Sequence, residues 1–195
     1  MPYKSRWTIP IPDCSLPTFL FKSASHSESS KQCYIDAAAP ETQYFTRASF
    51  KLWSQRLALG ITRLPGFEAG DRVLLFSPNN LAVPVVFMGI LMAGGIFSAA
   101  NPGYTGRELA NQLRDSEARY LLVADGNLDV ALEAADIVGL DRGRVRWFDQ
   151  GALFDGKGTQ TLDKGVKQEI RYWSGLFAGE EEARLYQWPE LKGES

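Results

Sequence analysis

The segment whose spacing is most suggestive of chemistry is Gly151 to Lys157. It matches the first seven positions of the phosphate-binding loop GxxxxGK[ST], in which backbone N–H groups and the lysine hold phosphates and a hydroxyl binds Mg²⁺. The eighth position is Gly158, and Thr159 would supply a hydroxyl only from the wrong register. No apolar stripe typical of the helix that must follow such a loop is present at 159–167. The pattern therefore favours a flexible glycine loop.

Other residues with reactive side chains are isolated. His26 is the only histidine, and it lies in a serine-rich stretch with no acid or base placed to form a catalytic dyad. Cys14 and Cys33 have neither CxxC spacing nor further cysteines, so neither zinc nor a disulfide framework is indicated. Three carboxylates at the ends of predicted elements are interpreted as surface and capping charges: Asp115, Glu117 and Asp125.

The elements that would position any site are organised around Gly70 to Asp125. This stretch contains a short apolar run at 72–76, an uncharged run at 81–100 and a third apolar run at 120–124. Twenty uncharged residues are long enough to cross a membrane, so a span at 81–100 must be considered. The glycine pair Gly94-Gly95 argues against it, because it is typical of a helix C-cap and divides the run into a helix and a strand. The same position after a helix excludes the pair as a dinucleotide-binding turn, which follows a strand.

The resulting order is strand, helix, strand, helix, strand. Thr105 and Glu108 have the spacing of a capping box, which predicts the start of the second helix. The connections are short and the runs are apolar, so we predict an α/β fold with a partial doubly wound, mostly parallel sheet and helices on both faces. Polar residues follow the first two strands at 77–80 and 100–104. Ligands of such sheets bind at these carboxyl ends, although turn and cap roles explain every residue there.

Further elements are predicted on either side. Strands at 34–36 and 44–46 form a hairpin, and Thr46 caps a helix over 47–63. Arg56 and Arg63 lie off the apolar stripe of that helix, so we expect both to face solvent. A helix at 128–139 and a strand at 144–148 follow. The apolar stripe of the 47–63 helix continues one residue past its end and consists of Phe50, Trp53, Leu57, Ile61 and Leu64.

Bulk properties limit the classes of function. The chain has 195 residues, an apolar content of 45% and a net charge of −2, which is ordinary for a globular protein and gives no basic footprint for nucleic acid. The N-terminus carries no secretory signal, and the C-terminal Gly-Glu-Ser is no peroxisomal address. We expect an intracellular protein, cytoplasmic or peroxisomal.

As a combined pattern, the chain resembles the N-terminal part of the adenylate-forming (AMP-binding) acyl-CoA synthetases, most of all their fungal 4-coumarate-CoA-ligase-like branch, whose members serve secondary metabolism. The resemblance runs from about Ile11 to the end. The residues that carry it are Pro17-Thr18-Phe19-Leu20-Phe21, Tyr44-Phe45-Thr46, Gly70-Asp71-Arg72-Val73, Ser77-Pro78-Asn79, Gly89 to Gly95, Ala100-Asn101-Pro102-Gly103-Tyr104-Thr105, Glu108-Leu109 and Gln112 to Ser116.

The resemblance implies a reaction that needs more than these residues. Members of the family activate a carboxylic acid with ATP and Mg²⁺ to an acyl-adenylate and then transfer the acyl group to coenzyme A. The family's Ser/Thr-Gly-rich phosphate loop, ribose-binding aspartate and catalytic lysine have no counterparts here. We therefore assign no catalytic, cofactor-binding or metal-binding residue and no cofactor to this chain; ATP, Mg²⁺ and CoA belong to the full-length family.

Three hypotheses remain at this level. The favoured one is a truncated or fragmentary acyl-CoA ligase that is inactive alone. The alternatives are a non-catalytic interaction or regulatory module and a membrane-associated protein that uses 81–100.

We predict an N-terminal arm at 1–33, an α/β subdomain at 34–150 and a loop-rich tail at 151–195 that ends before the phosphate loop. The tail holds an apolar patch at Tyr172 to Phe177. We expect this patch and the last sheet edge to be uncovered, which predicts self-association of the isolated chain.

Overall fold

The computed structural model describes residues 6–10, 12–22, 30–154 and 170–190. It contains a central sheet, a separate two-stranded hairpin and surrounding helices. The strands of this described part are β1 (Gln32–Ile35), β2 (Tyr44–Thr46), β3 (Arg72–Phe76), β4 (Ile96–Ala100), β5 (Tyr120–Ala124), β6 (Val145–Phe148) and β7 (Arg171–Tyr172). Its α-helices are α1 (Leu16–Phe21), α2 (Arg47–Thr62), α3 (Ala82–Met92), α4 (Gly106–Asp115), α5 (Leu128–Val138) and α6 (Glu180–Leu185).

The central sheet is parallel throughout. Its strand order is β4-β3-β5-β6-β7. The chain passes from β3 to β4 through α3 and returns through α4 to β5, on the other side of β3. Both faces of the sheet carry buried apolar side chains that pack on helices. The predicted fold class, a doubly wound α/β sheet with helices on both faces, is therefore confirmed.

Alternation along the central strands divides the core into two layers. One face of β3 and β5 packs with α2 and α3, and the opposite face packs with α4 and α5. The first layer, which we call the α2–α3 layer, includes Val73, Leu75, Tyr120, Leu122, Leu57 and Val85. The second, the α4–α5 layer, includes Leu74, Phe76, Leu121, Val123, Leu109 and Ala131.

The uncharged run at 81–100 is split between α3 and β4 as predicted. Gly94 has φ of +80°, a backbone conformation that favours glycine. The N–H of Gly95 donates to Ile90 O at 2.9 Å and that of Gly94 donates to Leu91 O at 3.1 Å. These two bonds form a Schellman motif, so the glycine pair is a helix C-cap. Among the residues that the structure describes, no helix has the length and apolar character that a membrane span requires.

The predicted helix starts are also confirmed. Thr46 Oγ1 accepts a hydrogen bond from Ser49 N at 3.1 Å, and Ser49 Oγ accepts one from Thr46 N at 3.0 Å. Thr105 and Glu108 form the equivalent reciprocal pair at the start of α4. The carboxylate of Glu108 accepts a hydrogen bond from the N–H of Thr105, and this bond lowers the pKa of Glu108. Each capping box satisfies two donors that a helix end would otherwise leave unpaired.

The predicted hairpin is present as the antiparallel pair β1–β2. The short helix α1 was not predicted, although Ser15 at its N-cap and Pro17 in its first turn are typical start signals. It packs on the body of the molecule through Phe21, whose ring centroid lies 5.7 Å from that of Phe50 and 6.4 Å from that of Trp188.

The expectation that the patch at Tyr172 to Phe177 is uncovered is wrong. β7 extends the sheet beside β6, and Trp173 is completely buried in the α2–α3 layer. The ring of Trp173 lies 5.2 Å from that of Phe148 and 4.8 Å from that of Phe177. The partner surface that this patch needs is therefore α2 and the sheet of the same chain, which the sequence does not show because the contacts are long-range.

The expectation that Arg56 faces solvent is also wrong. Its Nε donates to Ala178 O at 2.9 Å, and its guanidinium lies 4.2 Å from the centroid of the Trp53 ring. Arg63 is exposed, as predicted, and forms an ion pair with Glu182. Arg56 thus anchors the 173–178 segment on α2.

Substitution of Gly60 tests this docking. A Cβ on Gly60 would lie 1.4 Å from the carbonyl oxygen of Leu176, so Gly60→Ala must displace the 173–178 segment. Overpacking against backbone costs about 3 kcal/mol, and the helix propensity of alanine recovers about 1 kcal/mol. We expect a net loss of about 2 kcal/mol in the free energy of unfolding, measured by urea denaturation.

The matched control is Gly175→Ala in the same segment, where a Cβ meets no atom within 4 Å. Its stability should stay within about 0.5 kcal/mol of wild type. Equal stability of the two variants would contradict the described docking.

Candidate functional site

The loops that follow strands β3 to β6 lie at one edge of the sheet because the strands are parallel. These loops are 77–81, 101–105, 125–127 and 149–151, and together we call them the carboxyl edge. Ligands of open α/β sheets bind at this edge. The sequence analysis named the loops after the first two strands of this edge as the place where a ligand would bind.

The loop after β3 is closed by hydrogen bonds among its own groups. Asn80 Oδ1 accepts from Ala82 N at 2.9 Å, and Asn80 Nδ2 donates to Ser77 Oγ at 3.1 Å. Ser77 Oγ donates in turn to Pro78 O at 2.7 Å. Asn80 therefore ties the start of α3 to the end of β3, as a turn and cap residue does.

The loop after β4 is held in the same way. Asn101 Oδ1 accepts from Gly103 N at 3.0 Å, which closes an Asx turn. Asn127, which follows β5, donates from Nδ2 to Pro102 O at 2.9 Å. The carboxamide of Asn127 thus links the β4 and β5 loops.

Gln150 is the most connected side chain at this edge, and sequence analysis did not identify it. Its Oε1 accepts from Leu81 N at 3.1 Å, while its Nε2 donates to Asp36 Oδ2 at 3.0 Å and Gln43 Oε1 at 2.9 Å. The hydrogen bond from Gln150 lowers the pKa of Asp36, with help from the N–H of Ala38. One carboxamide therefore joins the β6 loop, the start of α3 and the hairpin. Its partners are 69 to 114 residues away in sequence, so no local signal exists.

The segment with phosphate-loop spacing begins as a packed turn. Residues Gly151–Leu153 form a 3-10 helix, and Leu153 is buried in the α2–α3 layer. Gly151 N donates to Asp149 Oδ1 at 2.9 Å, so a carboxylate occupies a position where a phosphate loop presents N–H groups to its ligand. The prediction of a flexible glycine loop is therefore wrong for 151–154, which form a packed turn. The remaining positions, Gly156, Lys157, Gly158 and Thr159, lie outside the described residues.

The isolated reactive residues that the structure describes form no joint site. His26 lies outside the described residues. Cys14 and Cys33 are exposed free thiols, and partial burial raises the pKa of Cys33, which disfavours the nucleophilic thiolate. The described residues contain no group of three or more His, Cys, Asp or Glu side chains placed to hold a metal.

The three carboxylates predicted as surface charges, Asp115, Glu117 and Asp125, are exposed. Glu117 forms an ion pair with Arg72 at 3.3 Å. This agrees with a surface interpretation rather than a paired acid and base.

Comparison with known proteins identifies the scaffold. The profile of the family described as AMP-binding enzyme matches residues 20–169, more than half of the chain. The chain belongs to this family. A phenylacetyl-CoA ligase of Aspergillus niger is 33% identical over 143 residues. A 4-coumarate–CoA ligase of Petroselinum crispum is 32% identical over 118 residues.

The chain spans only part of these relatives. The matched region covers 73% of this chain and 26% of the Aspergillus enzyme, and 57% of this chain and 21% of the Petroselinum enzyme.

Solved structures share the fold. A luciferase-like enzyme of the mealworm Zophobas morio aligns with a TM-score of 0.71 at 17% identity, covering 91% of this chain and 38% of its own. A benzoate CoA ligase of Burkholderia xenovorans aligns with a TM-score of 0.60 at 23% identity, covering 77% and 31%. The doubly wound sheet of this chain is therefore a fold that adenylate-forming enzymes contain.

The role of Gln150 can be tested through the titration of Asp36. In Gln150→Ala the pKa of Asp36 should rise toward its ordinary value, because the carboxylate loses its main donor. NMR of the carboxyl carbons over a pH series measures this directly. A lowered folded-state pKa contributes stability above the unfolded-state pKa and loses it as pH falls through the folded value. The variant should therefore lose less stability than wild type on acidification.

The control is Gln112→Ala, whose carboxamide donates to Ala99 O rather than to a carboxylate. It should leave the pKa of Asp36 unchanged. An unchanged pKa of Asp36 in Gln150→Ala would show that Gln150 is not its hydrogen-bond partner in solution.

Proposed function

We propose that this chain is the scaffold part of an acyl-CoA ligase and that it is not catalytic alone. The full-length reaction would activate a carboxylic acid with ATP and Mg²⁺ and transfer the acyl group to coenzyme A. Support for the reaction class comes from the relatives, which are named as CoA ligases for phenylacetate, 4-coumarate and benzoate. The chain matches about a quarter of the curated relatives' length, so the reacting groups are proposed to lie in sequence equivalent to the rest of those proteins.

The hydrogen bonding of the carboxyl edge is the observation that carries this proposal. General acid–base and nucleophilic catalysis need a side chain that can contact the reactants. Here Asn80, Asn101, Asn127 and Gln150 instead hold neighbouring loops and helix starts together. The side chains at the edge where a substrate would bind are thus used to stabilise the loops of this chain.

An ATP–pyrophosphate exchange assay tests the proposal. The 195-residue chain, with Mg²⁺ and each of phenylacetate, 4-coumarate and benzoate, should give no exchange above the background without protein. A full-length acyl-CoA ligase serves as the positive control. Acid-dependent exchange by the purified chain would overturn the claim that it lacks the catalytic apparatus.

We also propose that the chain associates with a second copy of itself through β4. In the part of the chain that the structure describes, this strand pairs with β3 alone and forms an edge of the sheet. Ile96, at its start, is 48% exposed, and Ala99 is also exposed. An apolar edge strand of five residues is a template for pairing with another chain.

Ile96→Lys tests this surface. A charge on the edge disfavours strand pairing, so the variant should be monomeric at concentrations where wild type associates, as measured by size-exclusion chromatography with light scattering. Ile137→Lys, at an exposed position on α5, is the control and should associate as wild type does. A wild type that is monomeric throughout would contradict the proposal.

A further inference from the structure

A cavity of about 440 Å³ lies at the opposite end of the sheet from the carboxyl edge. It is formed by the C-terminal end of α2, the start of β6 and β7, and the 175–178 segment. We call it the arginine cavity, because Arg63, Arg146 and Arg171 line it. Its volume is in the range of small-molecule sites.

Two of the three arginines lie side by side. Arg146 and Arg171 are register partners on the adjacent parallel strands β6 and β7. Like charges placed directly opposite on neighbouring strands are destabilising. Arg146 is only 7% exposed, and both its burial and the charge of Arg171 lower its pKa. The register therefore places the buried guanidinium of Arg146 beside Arg171, which is itself exposed.

No acidic side chain among the described residues lines the cavity. Arg146 donates to the neutral carbonyls of Gly143 and Val145. Arg63 is matched by its ion pair with Glu182. Arg171 forms no salt bridge with another described residue. Among the described residues, about two positive charges of the cavity are thus left without a counter-charge.

Two carbonyls at the end of α2 already accept hydrogen bonds from the chain itself. The carbonyl of Gly60 accepts from Arg63 N at 3.2 Å, and that of Ile61 accepts from Leu64 N at 3.0 Å. These acceptors are used within the last turn of the helix. An anion from outside the described chain would supply what the cavity lacks.

We propose that the arginine cavity binds a small organic phosphate. A phosphate monoester carries close to two negative charges and three acceptor oxygens, and guanidinium groups match it in charge and geometry. A monocarboxylate would neutralise only one cation. Leu64, Pro65 and Phe177 give the cavity an apolar wall that suits the organic part of such a ligand. The site is separate from the carboxyl edge, so it goes beyond the proposed ligase scaffold and does not depend on it.

Phenyl phosphate is the probe, with inorganic phosphate and benzoate as comparisons, in calorimetric titrations at fixed ionic strength. Phenyl phosphate should bind wild type saturably and more tightly than either comparison. Inorganic phosphate lacks the apolar ring, and benzoate carries only one negative charge. Arg171→Gln should weaken binding about tenfold or more, since a charge-assisted contact contributes about 1.5–3 kcal/mol, and Arg171→Lys should weaken it less.

The matched control is Arg107→Gln, an exposed arginine on α4 in the other layer, which removes the same charge without touching the cavity. It should bind phenyl phosphate as wild type does. No saturable binding by wild type, or equal weakening in Arg171→Gln and Arg107→Gln, would overturn the site. Equal affinity for inorganic and phenyl phosphate would overturn the assignment to an organic ligand. None of these readings depends on turnover, so the outcome is independent of the exchange assay.

Discussion

Burial of a parallel sheet on both faces is the constraint on which the structure depends. β3 and β5 have apolar side chains on each face, and neither face can be left in water without a large loss of hydrophobic stabilisation. In this chain α3 packs on one face of the sheet, and α4 and α5 pack on the other. The turns that change face, at Gly94 and Thr105, carry the strongest local signals in the sequence.

α2 connects this scaffold to the ends of the chain. Its N-terminal half contacts α1 through the rings of Phe50 and Phe21. In its C-terminal half, Arg56 donates a hydrogen bond to Ala178 O, and Gly60 lies against the carbonyl of Leu176. At the far end of the chain, Glu190 accepts hydrogen bonds from Ser15, Thr18 and Lys22, of which the one from Thr18 contributes most to lowering its pKa. The first helix therefore contacts α2, and the C-terminal end of the described chain contacts that first helix. α2 also borders the arginine cavity, so occupation of that cavity and docking of the 173–178 segment involve shared residues.

The sequence was sufficient for features that arise within one element or between neighbours. Capping at Thr46 and Thr105, the glycine cap at Gly94 and the apolar runs that became β3 and β5 are local patterns, and the structure has them as predicted. It was not sufficient for contacts that join distant segments. The burial of Trp173 beneath α2 arises this way, and it is why the uncovered patch was wrongly predicted.

The candidate site shows the same division. Its position at the carboxyl edge followed from strand direction, whereas the bridge made by Gln150 and the pairing of Arg146 with Arg171 across β6 and β7 depend on register that no local pattern specifies.

We propose that the side chains of the carboxyl edge stabilise its loops and do not form a nucleotide site. An NMR titration of the ¹⁵N-labelled chain with ATP and Mg²⁺ tests it most directly, with the amides of Leu81, Gly103 and Gly151 as reporters, because each donates to a side chain of this edge. We expect that these three signals do not shift. Saturable shifts centred on them would contradict it.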